Sequence, residues 1–305
     1  MSRSEALGQQ REVTLPQGTI RYRERGTGDP VVFVHGVLVN GDLWRGVAPR
    51  IADAGYRAIV PDLPLGAHEV PTREDADLTP PGLAKLIVDF TDALGLRSPV
   101  IVANDTGGAL TQVAAANHGE KLGPVVLTSC DAFEHFFPLM FKYLRLVAAI
   151  PGGLSLLASA ARLRPVRRAP NAFGWLMHSD PPPQVLDGWT EPLRTTAGVR
   201  RDAAKVLRGI GKRHTLAAAE RLGGFERPVL LAWAADDRFF PLDDARKLES
   251  ILPNARLVTI ADSYTFTPED QPEKLAELIV GFPADLQQGD HVRDEHDRER
   301  DRPAV

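Results

Sequence analysis

The chain has 305 residues, of which 43% are hydrophobic and 25% charged, with a formal net charge of −4. This length and composition suit a globular enzyme with a large core, and they lack the basic excess of nucleic-acid-binding proteins. Cys130 is the only cysteine, which suits a reducing cytosol. Residues 1–11 lack the apolar core of a signal peptide, and no stretch approaches the ~20 apolar residues that span a bilayer. We therefore expect a cytoplasmic protein with neither nucleic-acid nor membrane partners.

Apolar, β-branched runs alternate with segments of helical periodicity along most of the chain. The predicted strands are residues 11–15, 19–25, 31–34, 57–60, 100–103, 123–127, 228–233 and 256–260. The predicted helices are residues 44–54, 80–94, 109–116, 193–207, 242–251 and 272–282. This alternation indicates an α/β protein whose mostly parallel sheet carries helices on both faces.

The alternation stops after the sixth predicted strand. Residues 133–212 contain no clear strand, and we interpret them as a helical insertion between two parts of one core, residues 11–132 and 213–283. The alternative is a plain helical extension that packs against the core. Residues 1–10 and 284–305 are expected to be flexible, because the second of these segments is highly charged and has few apolar residues to bury.

The most informative segment joins the fifth predicted strand to a helix. Asp105 follows the apolar run 100–103 and Asn104, and Thr106, Gly107 and Gly108 come after it. A strand, a tight turn with one reactive side chain, and a helix make up a nucleophile elbow, which needs small residues beside the turn. The glycine spacing matches neither phosphate-binding loop pattern.

Two other segments are expected at the same edge of the sheet. After strand 31–34 come His35 and Gly36, and the backbone N–H of Val37 could join that of Thr106 in an oxyanion hole. After strand 228–233 comes Asp237, with Asp236 as the alternative, in the position of an acid that orients a catalytic histidine.

Together these motifs resemble the α/β-hydrolase superfamily over residues 11–283, and the aspartate elbow resembles its haloalkane dehalogenase and epoxide hydrolase branch. The matching segments are residues 35–36, 61–64, 104–108, 236–241 and 270–272. The resemblance implies an eight-stranded, mostly parallel sheet and a helical cap over the active site, inserted after the sixth strand. It also implies that Asp105 attacks carbon and that a histidine activates water to hydrolyse the resulting ester, without cofactor or metal.

The sequence departs from that branch at the base. The branch places its histidine seven residues before a proline corresponding to Pro272, and that position holds Thr265. No histidine occurs from residue 215 to residue 290. Val37 and Thr106 also stand where such dehalogenases carry the side chains that bind halide. The residues considered as a substitute base or as part of the pocket are His135, His178, His214, His68, His35, Tyr143 and Tyr264.

Three functions are consistent with these residues. The first is a cofactor-independent hydrolase for a small hydrophobic substrate, with Asp105 as nucleophile, Asp237 as acid and Thr265 at the base position. The second is a lyase, isomerase or cyclase on the same fold, since such reactions need no water attack on an ester. The third is a ligand-binding protein that has lost catalysis. The substrate and the oligomeric state do not follow from the sequence.

Overall fold

An eight-stranded sheet lies at the centre of the computed structural model, which describes residues 4–282. The strands are β1 (Gln9–Leu15), β2 (Gly18–Arg25), β3 (Pro30–Val34), β4 (Arg57–Pro61), β5 (Val100–Asp105), β6 (Val125–Cys130), β7 (Val229–Ala234) and β8 (Ala255–Ile260). Their spatial order is β1-β2-β4-β3-β5-β6-β7-β8. Strands β1 and β2 pair antiparallel, as do β2 and β4, whereas all other pairs are parallel.

The central strands are buried because helices cover both faces of the sheet. Every residue of β6 and β7 is buried, as expected for continuous apolar strands in a parallel sheet. The helices are α1 (Ala48–Asp53), α2 (Pro80–Ala93), α3 (Thr106–His118), α4 (Tyr143–Ala149), α5 (Gly153–Ala160), α6 (Arg164–Arg167), α7 (Pro183–Thr195), α8 (Ala197–Gly209), α9 (Lys212–Ala219), α10 (Leu242–Ile251), α11 (Thr267–Asp270) and α12 (residues 272–282). The predicted eight-stranded sheet flanked by helices is confirmed.

Helices α4 to α9 all lie between β6 and β7, in the segment where no strand was predicted. This helical insertion touches the core through polar as well as apolar contacts. Asp202 of α8 is fully buried, and its carboxylate accepts hydrogen bonds from the Thr72 backbone N–H at 2.7 Å and from His68 Nε2 at 3.2 Å. The loop after β4 therefore holds the insertion on the core through buried hydrogen bonds.

Three predicted segments differ from the structure. The predicted helix 44–54 is a 3₁₀ turn, Gly41–Trp44, followed by the shorter α1. The predicted helix 193–207 is divided between α7 and α8, because Thr196 adopts an extended conformation. Residues 1–10 were predicted to be flexible, but within the described part of this segment Leu7 is buried and β1 begins at Gln9. Residues 284–305 lie outside the described residues.

No helix within residues 4–282 has the combined length and hydropathy needed to cross a bilayer. In the same range, no group of three His, Cys, Asp or Glu side chains is arranged to hold a metal ion.

Candidate active site

Asp105 stands at the junction of β5 and α3 in a backbone conformation that few L-residues adopt. Its φ is 53° and its ψ is −133°. Neighbouring glycines allow this turn to approach the loop after β3: a Cβ at Gly36 would overlap Asp105 Oδ2, and a Cβ at Gly107 would overlap the Val34 and His35 carbonyl groups. The sequence therefore folds locally into a strained elbow that holds one carboxylate at the carboxyl edge of the sheet.

The backbone N–H groups of Thr106 and Val37 act as donors toward the Asp105 carboxylate and lower its pKa. These are the two donors that the sequence predicted for an oxyanion hole. Burial raises the pKa of Asp105, the two N–H donors lower it and the charge of Asp237 raises it again, so that it reaches about 7. Near neutral pH the side chain therefore exists in both protonation states.

Asp237 and Thr265 meet beside the elbow although they are 28 residues apart in sequence. The Thr265 hydroxyl donates to Asp237 Oδ1 at 3.1 Å, and the N–H groups of Phe239 and Phe240 donate to the same oxygen at 2.8 and 2.9 Å. Burial raises the pKa of Asp237 despite these donors and the nearby Ser129 hydroxyl. Oδ2 is enclosed and meets no donor in hydrogen-bond geometry among residues 4–282.

A third carboxylate at the site was not predicted from the sequence. Asp131 follows β6, is fully buried, and accepts a hydrogen bond from the Thr106 hydroxyl at 3.1 Å. Burial and the charge of Asp105 hold its pKa well above the usual range. Because Asp105 has two backbone donors and Asp131 one hydroxyl donor, we assign the negative charge to Asp105. The position of Asp131 at the carboxyl end of a parallel strand was the sequence signal that could have identified it as a site residue.

Asn104 joins the elbow to the loop that holds Thr265. Its side-chain amide donates to the Thr265 carbonyl at 2.7 Å, to the Thr128 hydroxyl at 2.7 Å and to the Ser129 carbonyl at 3.2 Å. The residue is fully buried. It therefore fixes the position of Thr265 relative to the elbow, a role that could not be predicted from the sequence.

The candidate histidines lie away from the cavity at Asp105. His35 is buried, with Nδ1 2.8 Å from the Gly36 carbonyl and Nε2 accepting the Leu63 N–H at 2.9 Å, so it supports the loop that carries Val37. His135 Nδ1 lies 2.6 Å from Asp244 Oδ2 in α10, and His135 does not line the cavity.

The remaining histidines also have other contacts. His68 binds Asp202, the His178 ring packs on Tyr264 with 3.8 Å between ring centroids, and His214 Nε2 accepts from Arg213. No histidine lines the cavity at Asp105 within residues 4–282.

A cavity of about 90 Å³ lies between Asp105 and the helical insertion. Its walls are mainly apolar, and its polar groups are few: Asp105, Tyr143, Asn171 and Thr190. The Tyr143 hydroxyl donates to the Asn171 carbonyl at 2.9 Å, whereas Tyr264 is absent from the walls and contacts Arg238. The arrangement can hold a small apolar molecule against a carboxylate.

Fold and site together define a hydrolase-type α/β protein, and comparison with known families agrees. The model of the α/β hydrolase fold matches residues 29–272, so the chain belongs to that family. It is 25% identical over 281 residues to 2-hydroxy-6-oxo-6-phenylhexa-2,4-dienoate hydrolase of Comamonas testosteroni, covering 89% of this chain and 93% of that protein. It is 26% identical to haloalkane dehalogenase 2 of Mycobacterium bovis, covering 87% and 91%.

Solved structures show the same fold. An ancestral haloalkane dehalogenase superposes with a TM-score of 0.72 at 21% identity, covering 91% of this chain and 99% of that one. A thermophilic esterase from Thermogutta terrifontis superposes with a TM-score of 0.68 at 20% identity, covering 92% and 99%. Because the relatives' names describe different reactions, the reaction of this chain has to be argued from its own site.

Proposed function

We propose that the protein is a hydrolase that acts on a small, largely apolar substrate by forming an ester on Asp105. The observation that carries this proposal is the Asp105 carboxylate, held at an elbow by two backbone N–H donors and facing an apolar cavity. A carboxylate placed in this way can attack carbon, while the donors stabilise the charge on the oxygen that does not attack.

In the first step an oxygen of Asp105 bonds to a substrate carbon. The bond from that carbon to its leaving group breaks, and the leaving group departs with the electron pair. Because Val37 and Thr106 contribute only backbone donors, a halide would find neither of the side chains that bind it in related dehalogenases. An epoxide remains a suitable substrate class, since its leaving oxygen stays attached to the product. That oxygen takes a proton from the Tyr143 hydroxyl in the cavity wall, and the proton that Asp105 releases after ester hydrolysis restores the tyrosine.

In the second step water attacks Cγ of the Asp105 ester. We assign the proton of that water to Asp237, because its charge acts on Asp105, its Oδ2 accepts no hydrogen bond, and no histidine within residues 4–282 lines the cavity. The ester bond between Cγ and the alkoxy oxygen then breaks, the alkoxide takes up the proton, and Asp105 is regenerated with one oxygen from water. Thr265 is a positioning residue that donates to Asp237 Oδ1.

Intact-protein mass spectrometry tests the first step. Incubation with a panel of short epoxides and alkyl halides should give an adduct on Asp105, located by peptide mapping, because a site without a histidine removes the ester slowly. Asp105→Asn should give no adduct, and Asp62→Asn serves as the control aspartate outside the cavity walls. Absence of both adduct and product across the panel would contradict the proposal.

Water labelled with ¹⁸O tests the second step. A single turnover should place the label in Asp105, and repeated turnover should place it in the alcohol. Thr265→His introduces the base of related enzymes, and we expect it to shorten the lifetime of the adduct. Product that never contains solvent oxygen would exclude hydrolysis for that substrate.

A second candidate function is proton transfer, as in an isomerase or a lyase. It is favoured by the pKa of Asp105, which at about 7 is well matched to a general acid or base at neutral pH. In that case substrate turnover would proceed without an Asp105 adduct and without incorporation of solvent oxygen.

A further inference from the structure

The outer surface of the helical insertion combines exposed apolar side chains with positive charge. Within residues 4–282, the large apolar side chains that are strongly exposed all lie between residues 139 and 163. They are Leu139 (78%), Leu146 (71%), Ile150 (60%), Leu156 (73%), Leu163 (62%) and Met140 (39%). A cluster of this kind on a protein surface indicates an interaction site more often than an isolated exposed leucine does.

The charges of the same segment have one sign. Between residues 135 and 179 the chain has no aspartate or glutamate, although its formal net charge is −4. The basic residues of this segment are Lys142, Arg145, Arg162, Arg164, Arg167 and Arg168. We call the exposed apolar and basic side chains of residues 139–168 the insertion surface.

Three of these six cations lie near two carboxylates. Arg162 lies 3.5 Å from Asp187, while Arg164 and Arg167 lie 3.6 and 3.8 Å from Asp180. Arg145 and Arg168 donate to the Ile210 and Ser179 carbonyl groups, which carry no net charge. The insertion surface therefore presents cations and alkyl groups side by side.

We propose that the insertion surface docks the protein onto an anionic lipid bilayer. Leucine and isoleucine side chains can enter the boundary between headgroups and acyl chains, while lysine and arginine lie at the level of the phosphates. Docking of this kind needs no spanning helix. It departs from the expectation of no membrane partner, which rested on the absence of a segment long enough to cross a bilayer.

The side of these helices that faces the cavity also supports a bilayer as the partner of the insertion surface. Phe141, Tyr143, Leu144, Leu157 and Ala158 belong to or adjoin α4 and α5, and they line the cavity at Asp105. An apolar substrate concentrates in a bilayer, so docking through α4 and α5 would bring the cavity wall close to the substrate's reservoir. Docking of this kind would serve any reaction in the apolar cavity, whatever the chemistry of Asp105.

A second copy of the chain fits the insertion surface less well. In a symmetric dimer the same patch meets itself, so two surfaces that each carry more cations than carboxylates would face one another. Nucleic acid would bind the cations but would leave the exposed leucines without apolar contacts. An anionic bilayer complements both features.

Vesicle sedimentation of the full chain tests the proposal. Phosphatidylcholine vesicles containing phosphatidylglycerol should bind the wild type, and pure phosphatidylcholine vesicles should bind it weakly. Leu146→Ser with Leu156→Ser removes apolar groups, and Lys142→Glu with Arg164→Glu reverses charge. Each pair should lower the partition coefficient on the order of tenfold or more.

The double variant Arg246→Glu with Lys274→Glu is the matched control. It changes the net charge by the same amount as Lys142→Glu with Arg164→Glu, but at exposed ion pairs on α10 and α12. It should lower binding by no more than about twofold. Circular dichroism confirms folding, and Leu139→Ser with Ile150→Ser replaces the first pair if that pair unfolds.

Three results would overturn the proposal. The first is no binding of the wild type to anionic vesicles, and the second is an equal loss in the control. The third is a stable dimer in sedimentation velocity that Leu146→Ser with Leu156→Ser dissociates, which would assign the surface to a second copy.

Discussion

The protonation state of Asp105 governs what this site can do. As an ionised carboxylate it is a nucleophile, and as a neutral carboxyl it is a proton donor. Burial and neighbouring Asp237 oppose ionisation, whereas the N–H groups of Val37 and Thr106 favour it. The balance lies near neutral pH, so a modest change in any of these contacts would change the dominant form.

Replacement of Asp105 by Asn should therefore stabilise the protein at alkaline pH. The folded pKa of about 7 lies above the ordinary value of 3.8, so the free energy of unfolding of the wild type falls as pH rises from about 4 to about 7. The variant lacks this loss and should be more stable by about 1 to 4 kcal/mol above pH 8. Urea unfolding of both proteins from pH 5 to pH 9 measures the difference.

Parallel pH profiles for the two proteins would contradict the raised pKa.

The titration of Asp105 also gives the two proposed functions opposite dependences of rate on pH. The rate of ester formation should rise as pH increases through about 7, because only the carboxylate attacks. A reaction in which Asp105 donates a proton should slow over the same range.

At the scale of elements, the site depends on how the ends of three strands are joined. Asn104 at the end of β5 binds Thr128 and Ser129 in β6 and the loop after β8 that carries Thr265. These hydrogen bonds are buried and all use one amide nitrogen. They hold Thr265 beside Asp237, and so they set the geometry of the acid as well as that of the elbow.

Asn104→Ala should lower the free energy of unfolding by about 2 to 3 kcal/mol, because it leaves buried carbonyl groups without their donor. Asn254→Ala is the control, since Asn254 Nδ2 donates to the Glu226 carbonyl at 2.7 Å in an exposed place. That change should cost less than about 1 kcal/mol. Urea unfolding measures both, and equal losses would contradict the role assigned to Asn104.

At the scale of the whole molecule, the cavity exists only while the helical insertion stays on the core. Asp202 forms one buried set of hydrogen bonds between them, with His68, Thr72 and Arg201. Burial alone raises the pKa of Asp202, but the hydrogen bonds from these residues outweigh it, and the net pKa is lowered. The ionised carboxylate therefore stabilises the folded state.

Asp202→Asn should destabilise the protein by about 2 to 4 kcal/mol at neutral pH, because it leaves buried donors with a weaker acceptor. A lowered folded pKa contributes stability above the ordinary pKa of 3.8 and loses it as pH falls further, so the difference from wild type should shrink in acid.

Asp243→Asn, at the exposed ion pair with Arg246, should change stability by less than about 1 kcal/mol. Thermal unfolding and limited proteolysis of the insertion measure these effects. An equal response of the two variants would contradict the role of Asp202.

The sequence by itself determined the features that depend on neighbouring residues. Strands, most helices, the elbow at Asp105 and the donors Val37 and Thr106 follow from local periodicity, from small residues and from the rule that parallel strands end at one edge. The presence of Thr265 where related enzymes have a histidine also follows from the sequence alone, since it requires only counting back from Pro272.

Only the tertiary structure decided which distant side chains meet. Asn104 and Thr265 are 161 residues apart, and His135 lies 109 residues from the Asp244 that engages it. It likewise placed Asp131 beside the elbow and apolar side chains of the insertion on its outer surface. The physical reason is that such contacts are set by the packing of whole elements, whereas sequence periodicity reports only which face of each element is buried.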